Sequence, residues 1–304
     1  MASPGEARIA VTAAALSPTA RSRASGAHYS SSDEYPFVAG IDGVGRVEDG
    51  SRVYFVRPRP PFGSLAERTV APRAACVSVP DALDDVTAAA IAIPGMSSWA
   101  ALSDRAKLER GETVLVNGAT GSAGRLAVQI ARHLGAGKVI ATGRDEAALR
   151  EVVALGADVT ISLREDPPVL DERLREQFAG RVDVVLDYLW GPVAERLLIT
   201  AARFAPEAAR LRFVELGSVA GTEISLPSAA LRASAIELMG SGTGSVQPDR
   251  LIAAIDGVLR AAIPQGFRIA TRTAPLNTVE REWSRSEGHP RTVFTIEGPP
   301  GPRE

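Results

Sequence analysis

The stretch Thr113-Val-Leu-Val-Asn-Gly-Ala-Thr-Gly-Ser-Ala-Gly-Arg-Leu-Ala-Val-Gln-Ile-Ala-Arg-His-Leu-Gly135 decides the fold. Thr113 to Val116 is a short apolar, β-rich run and reads as a buried strand. Ala127, Ile130, Ala131 and Leu134 recur at helical spacing, and Gly135 stands where a C-cap belongs. Between strand and helix lie Gly118, Ala119, Thr120, Gly121, Ser122, Ala123 and Gly124. Gly121 lets backbone approach a pyrophosphate, and Gly124 lets the helix pack on the strand. The helix N-terminus then offers unpaired N–H groups to the anion. Glycines alone also serve a plain strand-to-helix turn. The strand before them and the helix after them turn the reading to nucleotide binding.

The next segment bears on which nucleotide. Lys138-Val-Ile-Ala-Thr142 is a second strand, followed by Gly143, Arg144 and Asp145. An NAD site places a carboxylate at this strand's tip, about twenty residues past the glycines, to hold the ribose 2′-hydroxyl. Here the tip is Gly143, which is expected to leave room, and Arg144 follows with a guanidinium suited to a 2′-phosphate. Asp145 is a rival ribose ligand, but it precedes Glu146-Ala-Ala-Leu149 and is better placed as a helix N-cap. NADPH is therefore the expected cofactor.

Outward from this core, strand and helix alternate, which implies a parallel sheet. Further strands are read at Val159–Ile161, Val182–Asp187, Arg212–Leu216 and Ala235–Met239, with helix faces on Leu170, Leu174 and Phe178 and over Leu197–Phe204. Sites in such sheets lie beyond the carboxyl ends of the strands, which singles out Tyr188 to Gly191, Gly217 and Ser218, and Gly240 and Ser241. Tyr188 and Trp190 are candidate walls of a nicotinamide pocket, although packing against Pro192 accounts for Trp190 equally well. Before residue 80 the pattern differs: strands at Arg8–Leu16, Pro36–Val47, Gly50–Val56, Gly63–Val70 and Ala75–Val79 follow without helical crossovers. A helix over Asp84–Ala92 is expected to stop at Pro94-Gly95, and a second helical run covers Ser97–Leu108. After Gly244, a helix carrying Leu251, Ile255 and Leu259 leads to strands at Phe267–Thr273 and Thr292–Ile296. The domains are expected to be residues 1–96, 97–245 and 246–304, the last returning to the first.

Composition narrows the class. The 304 residues are 45% hydrophobic and 23% charged, enough for a substantial core under an ordinary polar surface. A net charge of −2 with mixed signs offers nothing to nucleic acid or an anionic membrane. No apolar run is read as long enough to cross a bilayer, and no signal peptide opens the sequence. The single cysteine, Cys76, excludes an intramolecular disulfide framework and points to a reducing cytoplasm.

Taken together, the motifs Pro36–Gly45, Gly50–Tyr54, Pro94–Leu102, Asn117–Gly124 and Asp183–Asp187 resemble the medium-chain dehydrogenase/reductase superfamily, in its zinc-independent quinone oxidoreductase branch. The resemblance implies an α/β fold: a doubly wound Rossmann parallel sheet beside a β-rich, GroES-like catalytic domain. It also implies an NADPH-dependent oxidoreductase that passes hydride to a small electrophilic acceptor (a quinone, enone or related carbonyl) and works as a homodimer. Members of the branch open with a further hairpin before the segment matching Pro4–Val11. Either the natural start lies upstream of this sequence or the hairpin is absent, which would leave a more open rim or an exposed edge.

The resemblance places individual residues as well. Zinc-dependent relatives have a cysteine at Ser17, a histidine at Ile41 and a second cysteine near Ile93, so the usual three-ligand set is missing and no metal is expected. Ser97 matches a nicotinamide-contacting threonine, with an N-cap role as the simpler alternative. Tyr29 matches a tyrosine lining the acceptor pocket, and its phenol is a candidate hydrogen-bond or proton donor. His28 beside it is a further candidate acid. Asp42 reads as a buried anchor for the turns from Gly40 to Gly45 rather than as a catalytic base. Where the branch carries Asn-Pro-x-Asp, this chain has Ser17-Pro18-Thr19-Ala20 and lacks both polar groups. That departure leaves two alternatives open: a redox sensor that binds nucleotide with little catalysis, and a biosynthetic enoyl or carbonyl reductase.

Overall fold

In the computed structural model, which describes residues 3–27, 31, 34–285 and 290–297, the first strand alternates before it enters the core. Along β1 (Glu6–Ala15), Ala7, Ile9 and Val11 are buried, Arg8 and Ala10 face solvent, and Ala13 to Ala15 are buried without a break. α1 (Pro18–Ala24) is capped by Ser17, whose Oγ accepts from the Ala20 N–H at 3.0 Å. Four short strands follow: β2 (Asp42–Val47), β3 (Arg52–Val56), β4 (Arg68–Pro72) and β5 (Cys76–Ser78). Asp42 is fully buried at the start of β2 and accepts from the Tyr54 hydroxyl at 2.7 Å. It therefore anchors β2 to β3, and burial pushes its carboxyl up to about 6.

The helix expected to end at Pro94-Gly95 does not end there. α2 (Asp85–Ala100) runs through both residues and continues as a π-type turn over Ala101–Arg105. An interior proline forfeits a backbone bond and costs about 3 kcal/mol. Ala88 to Ala92 before it and Ala100 to Leu102 after it are fully buried, however, and their burial outweighs that cost. The continuous helix also corrects the reading that no apolar run is long enough to cross a bilayer. Asp85–Arg105 passes that test by length and composition, although most of it is buried within the protein.

Strand and helix then alternate as β6 (Thr113–Asn117), α3 (Ser122–His133), β7 (Lys138–Gly143), α4 (Glu146–Val153), β8 (Val159–Ser162), α5 (Pro167–Ala179), β9 (Val184–Asp187), α6 (Gly191–Phe204), β10 (Arg210–Glu215), α7 (Ser228–Arg232) and β11 (Ala235–Gly240). The six strands form one parallel sheet in the order β11-β10-β9-β6-β7-β8. All four residues of β9 are buried, the mark of a strand covered on both faces. Leu115, Ile140, Val185, Leu197 and Phe213 share a core cluster that ties α6 to the sheet. The strand order reverses between β6 and β9, and a crevice at such a switch point is where a dinucleotide lies.

The remaining elements are α8 (Pro248–Gln265), β12 (Thr271–Pro275), α9 (Val279–Trp283) and β13 (Arg291–Thr295). β12 and β13 run parallel and belong to the sheet ordered β12-β13-β1-β2-β3-β5, in which β4 also pairs with β1. β13 meets β1 antiparallel, with Ala13 opposite Thr295 and Ala15 opposite Val293. Two compact units result: residues 1–93 with 255–304, and residues 94–254.

Candidate nucleotide site

β6 delivers the chain to Gly118, whose φ of +88° lies in the left-handed region. Ala119 is buried and its N–H donates to the Thr142 carbonyl at 2.8 Å, so the loop is pinned to the end of β7. Gly121 is extended, and no side chain caps α3. The first helical bond runs from Arg125 N to Gly121 O at 2.9 Å. That leaves the N–H groups of Ser122, Ala123 and Gly124 without a partner among the described residues, aimed out of a helix end of positive potential. The two glycines differ in kind. A Cβ on Gly124 would lie 2.3 Å from the Gly118 carbonyl oxygen and 2.6 Å from the Ala119 Cα, so this glycine is demanded by packing. A Cβ on Gly121 would find its nearest atom 3.8 Å away, so this glycine leaves a cradle that a side chain would fill. The residues thus fit a pyrophosphate.

Behind the loop is a polar network that sequence reading did not single out. Asn117 closes β6, Thr142 lies near the end of β7, and Asp187 closes β9; all three are fully buried. The Thr142 hydroxyl donates to Asn117 Oδ1 at 2.6 Å, and Asn117 Nδ2 donates to Asp187 Oδ1 at 2.7 Å. Asp187 also accepts from the N–H groups of Leu189 at 3.0 Å and Trp190 at 3.2 Å. Burial raises the Asp187 carboxyl, while these bonds oppose the shift. Trp190 has a φ of +54°, a conformation costly for a bulky residue, and Asp187 holds it there. Its ring meets Phe213 edge-on at 6.5 Å, so packing is part of its role. The only sequence signal for this network was that polar residues close otherwise apolar strands.

At the tip of β7 one expectation needs correction. Gly143 does not leave open room: it is buried, and a Cβ there would lie 2.5 Å from the Thr120 methyl and 3.3 Å from Leu149 Cδ2. A side chain here would have to displace Thr120, which packs into the space. Arg144 is exposed, with no hydrogen bond or ion pair from its side chain among the described residues. Asp145 is the N-cap of α4, as its position suggested, and accepts from the Ala148 N–H at 3.0 Å. That bond above all holds its carboxyl below the usual range.

On the other side of the switch point, Tyr188 follows Asp187, and its hydroxyl lies 2.9 Å from Ser98 Oγ. Ser97 does not begin a helix, which removes its expected N-cap alternative. It sits inside α2 and donates to the Pro94 carbonyl at 2.8 Å. Tyr29 and His28 lie outside the described residues. Beyond β9, β10 and β11 a cleft of about 420 Å³ gathers Trp190, Ser218 and Gly240 with Glu215 and Thr222. Gly217 lies beside it, its absent Cβ 3.2 Å from the Tyr188 carbonyl, and the Ser241 N–H donates to the Glu215 carbonyl at 2.9 Å. Burial and the neighbouring Asp187 raise the Glu215 carboxyl. Among the described residues, no group of three His, Cys, Asp or Glu is placed to hold a metal ion.

Comparisons with known proteins fall in line with this geometry. The profile of the zinc-binding dehydrogenase family matches residues 123–260. The chain is 31% identical to a probable NADPH-dependent quinone reductase of Emericella nidulans, over 92% of this chain and 89% of that protein. It is 29% identical to a trans-enoyl reductase of Aspergillus terreus, over 42% of this chain and 36% of that one. Among solved structures, the quinone oxidoreductase of Thermus thermophilus, also solved with NADPH, matches with a TM-score of 0.79 at 27% identity, covering 97% of this chain and 93% of its own.

Proposed function

We infer the function from two premises: the chain belongs to the medium-chain dehydrogenase/reductase superfamily, in its quinone oxidoreductase-like branch, and its α3 N-terminus carries an open cradle at Gly121. It is an oxidoreductase that uses NADPH. The acceptor we propose is a quinone, enone or related activated carbonyl, reduced without zinc. The cradle is the observation that carries this reading. When bound, NADPH supplies the hydride, and the conjugated acceptor itself spreads the developing negative charge. The N–H groups of Ser122, Ala123 and Gly124 bind the pyrophosphate, and Arg144 binds the 2′-phosphate. Asn117 and Asp187 hold the two loops that flank the cofactor. Burial pushes the Tyr188 phenol up to about 12, so it keeps its proton at neutral pH and is a poor acid. The proton donor we assign by resemblance is Tyr29. Zinc independence rests on Ser17, Ile41 and Ile93 standing at the ligand positions. Ser17 in particular caps α1.

The test is NADPH oxidation against a panel of quinones and enones, with NADH in parallel. Turnover with at least one acceptor, unchanged by chelator, is expected; activity lost to chelator and restored by zinc would reject the zinc-free mechanism. The resemblance to a trans-enoyl reductase gives a second reading specific support, and an enone preference over quinones would select it. Tight NADPH binding with no turnover of any acceptor would point to a redox sensor instead.

Cytoplasmic residence is proposed from the lone Cys76, whose thiol is pushed up to about 11 by burial and so stays unreactive. A homodimer is proposed through β11, which closes one edge of the parallel sheet and leaves Leu238 exposed. Sedimentation should give twice the chain mass at micromolar concentration, and Leu238→Lys should shift it toward monomer. A monomeric wild type would end the proposal.

A further inference from the structure

One carboxylate at the carboxyl ends of the parallel strands has no counter-charge. Glu215 closes β10, in register with Asp187 on one side and Gly240 on the other. It lines the cleft of about 420 Å³ together with Trp190, Thr222, Leu238 and Gly240. Asp187 is fully buried, and its oxygens are taken by Asn117 and by the N–H groups of Leu189 and Trp190. The Glu215 carboxylate, by contrast, accepts no hydrogen bond and joins no ion pair among the described residues. Arg105, whose side chain reaches Gly240, donates there to the backbone carbonyl at 2.8 Å. Toward β11 the flank of Glu215 is open: a Cβ on Gly240 would have Glu215 Oε2, at 4.0 Å, as its nearest neighbour. Burial and the charge of Asp187 raise the Glu215 carboxyl, and no described cation offsets them.

A half-buried charge without a partner is costly, and in a cleft it marks a place where a ligand completes the pair. The lining suits a cation. Glu215 supplies the charge, Trp190 supplies an indole, the ring type that attracts ammonium most strongly, and Leu238 supplies apolar surface for alkyl groups. The position of the cleft says what brings the cation. Strands lie about 4.8 Å apart, so β10 and β11 stand roughly 10 and 14 Å from β6, where the pyrophosphate binds. A dinucleotide that crosses β9 from β6 points its ring toward this cleft. We propose that Glu215 is a specificity residue and that the cleft holds the part of the acceptor that carries a protonated amine. This rests on the NADPH reading above and narrows its acceptor: an amine-bearing quinone or enone is preferred to its neutral counterpart.

The experiment assays the full chain and NADPH with matched acceptors, a naphthoquinone and a cyclohexenone, each bearing either an isopentyl or a dimethylaminoethyl chain. The two chains have the same shape and differ in charge. In the wild type kcat/KM is expected to favour the amine about five- to twentyfold, chiefly through KM. Raised salt should shrink the preference, because the pair is half exposed. Glu215→Gln, which keeps the shape and removes the charge, should bring the two acceptors within about twofold, and Glu215→Lys should reverse their order. Equal rates in the wild type, or a preference that survives in Glu215→Gln, overturns the proposal and leaves the NADPH reading standing. So does a Glu215→Gln variant that binds NADP⁺ more weakly and NADPH as before in titration calorimetry, which would make the oxidised nicotinamide the missing cation. No turnover of any of these acceptors also overturns it, and a wild type that in addition fails to bind NADPH overturns both.

Discussion

Gly124→Ala is expected to cripple folding, whereas Gly121→Ala should fold normally and lose NADPH. Gly121 is the N-cap of α3 and Gly124 lies in its first turn, and their surroundings decide the difference. The methyl of Ala at 124 would be driven 2.3 Å from the Gly118 carbonyl oxygen, a backbone atom that cannot rotate away. α3 would have to lift from β6, and with it the buried side chains of Leu126 and Ile130. Overpacking of this kind costs about 1–3 kcal/mol and sometimes more, a large part of the stability of a domain. At 121 the nearest atom is 3.8 Å away, so the unliganded chain should lose only the cap preference of glycine over alanine, about 1 kcal/mol or less. The same methyl occupies the cradle proposed for the pyrophosphate. Excluding charge-assisted bonds worth about 1.5–3 kcal/mol weakens NADPH roughly ten- to a hundredfold. Denaturant melts and NADPH titrations of both variants read the two effects separately. Normal NADPH affinity in Gly121→Ala would show that the pyrophosphate does not bind at this loop.

Arg144→Ala should reverse cofactor choice rather than abolish binding. Arg144 is exposed beyond β7 and makes no ion pair among the described residues, so its loss leaves the fold untouched. If its guanidinium pairs with the 2′-phosphate, removing it should raise the Michaelis constant for NADPH about ten- to a hundredfold and leave NADH nearly unchanged. The difference should shrink as salt is raised, because the contact is solvent-exposed and screened. Gly143→Asp, otherwise the obvious companion, is a poor test. Its Cβ would collide with the Thr120 methyl, so lost packing would be confounded with altered specificity. The ratio of specificity constants for the two cofactors, in wild type and Arg144→Ala, decides the matter. A wild type that already prefers NADH, or a variant that weakens both cofactors equally, would remove Arg144 from phosphate recognition.

What the sequence by itself determined was the local grammar. Val114 to Val116, the glycines and the apolar spacing through Ile130 specify strand, loop and helix from neighbours within a few residues. Such repeats imply a parallel sheet, whereas the order of its strands, and with it the switch point between β6 and β9, is read only from the structure. Asp145 was legible as a cap because a cap acts on a residue three positions away. Tertiary structure decided whatever depends on residues far apart in the chain. Asn117 meets Asp187 across 70 residues and Ser98 meets Tyr188 across 90, contacts set by strand register and helix docking rather than by any local pattern. Gly143 looked like open space for a phosphate because nothing in the sequence reveals that the Thr120 methyl fills it. α2 crosses Pro94 for the same kind of reason: the loss of one backbone bond is local, and the burial that outweighs it comes from the rest of the fold.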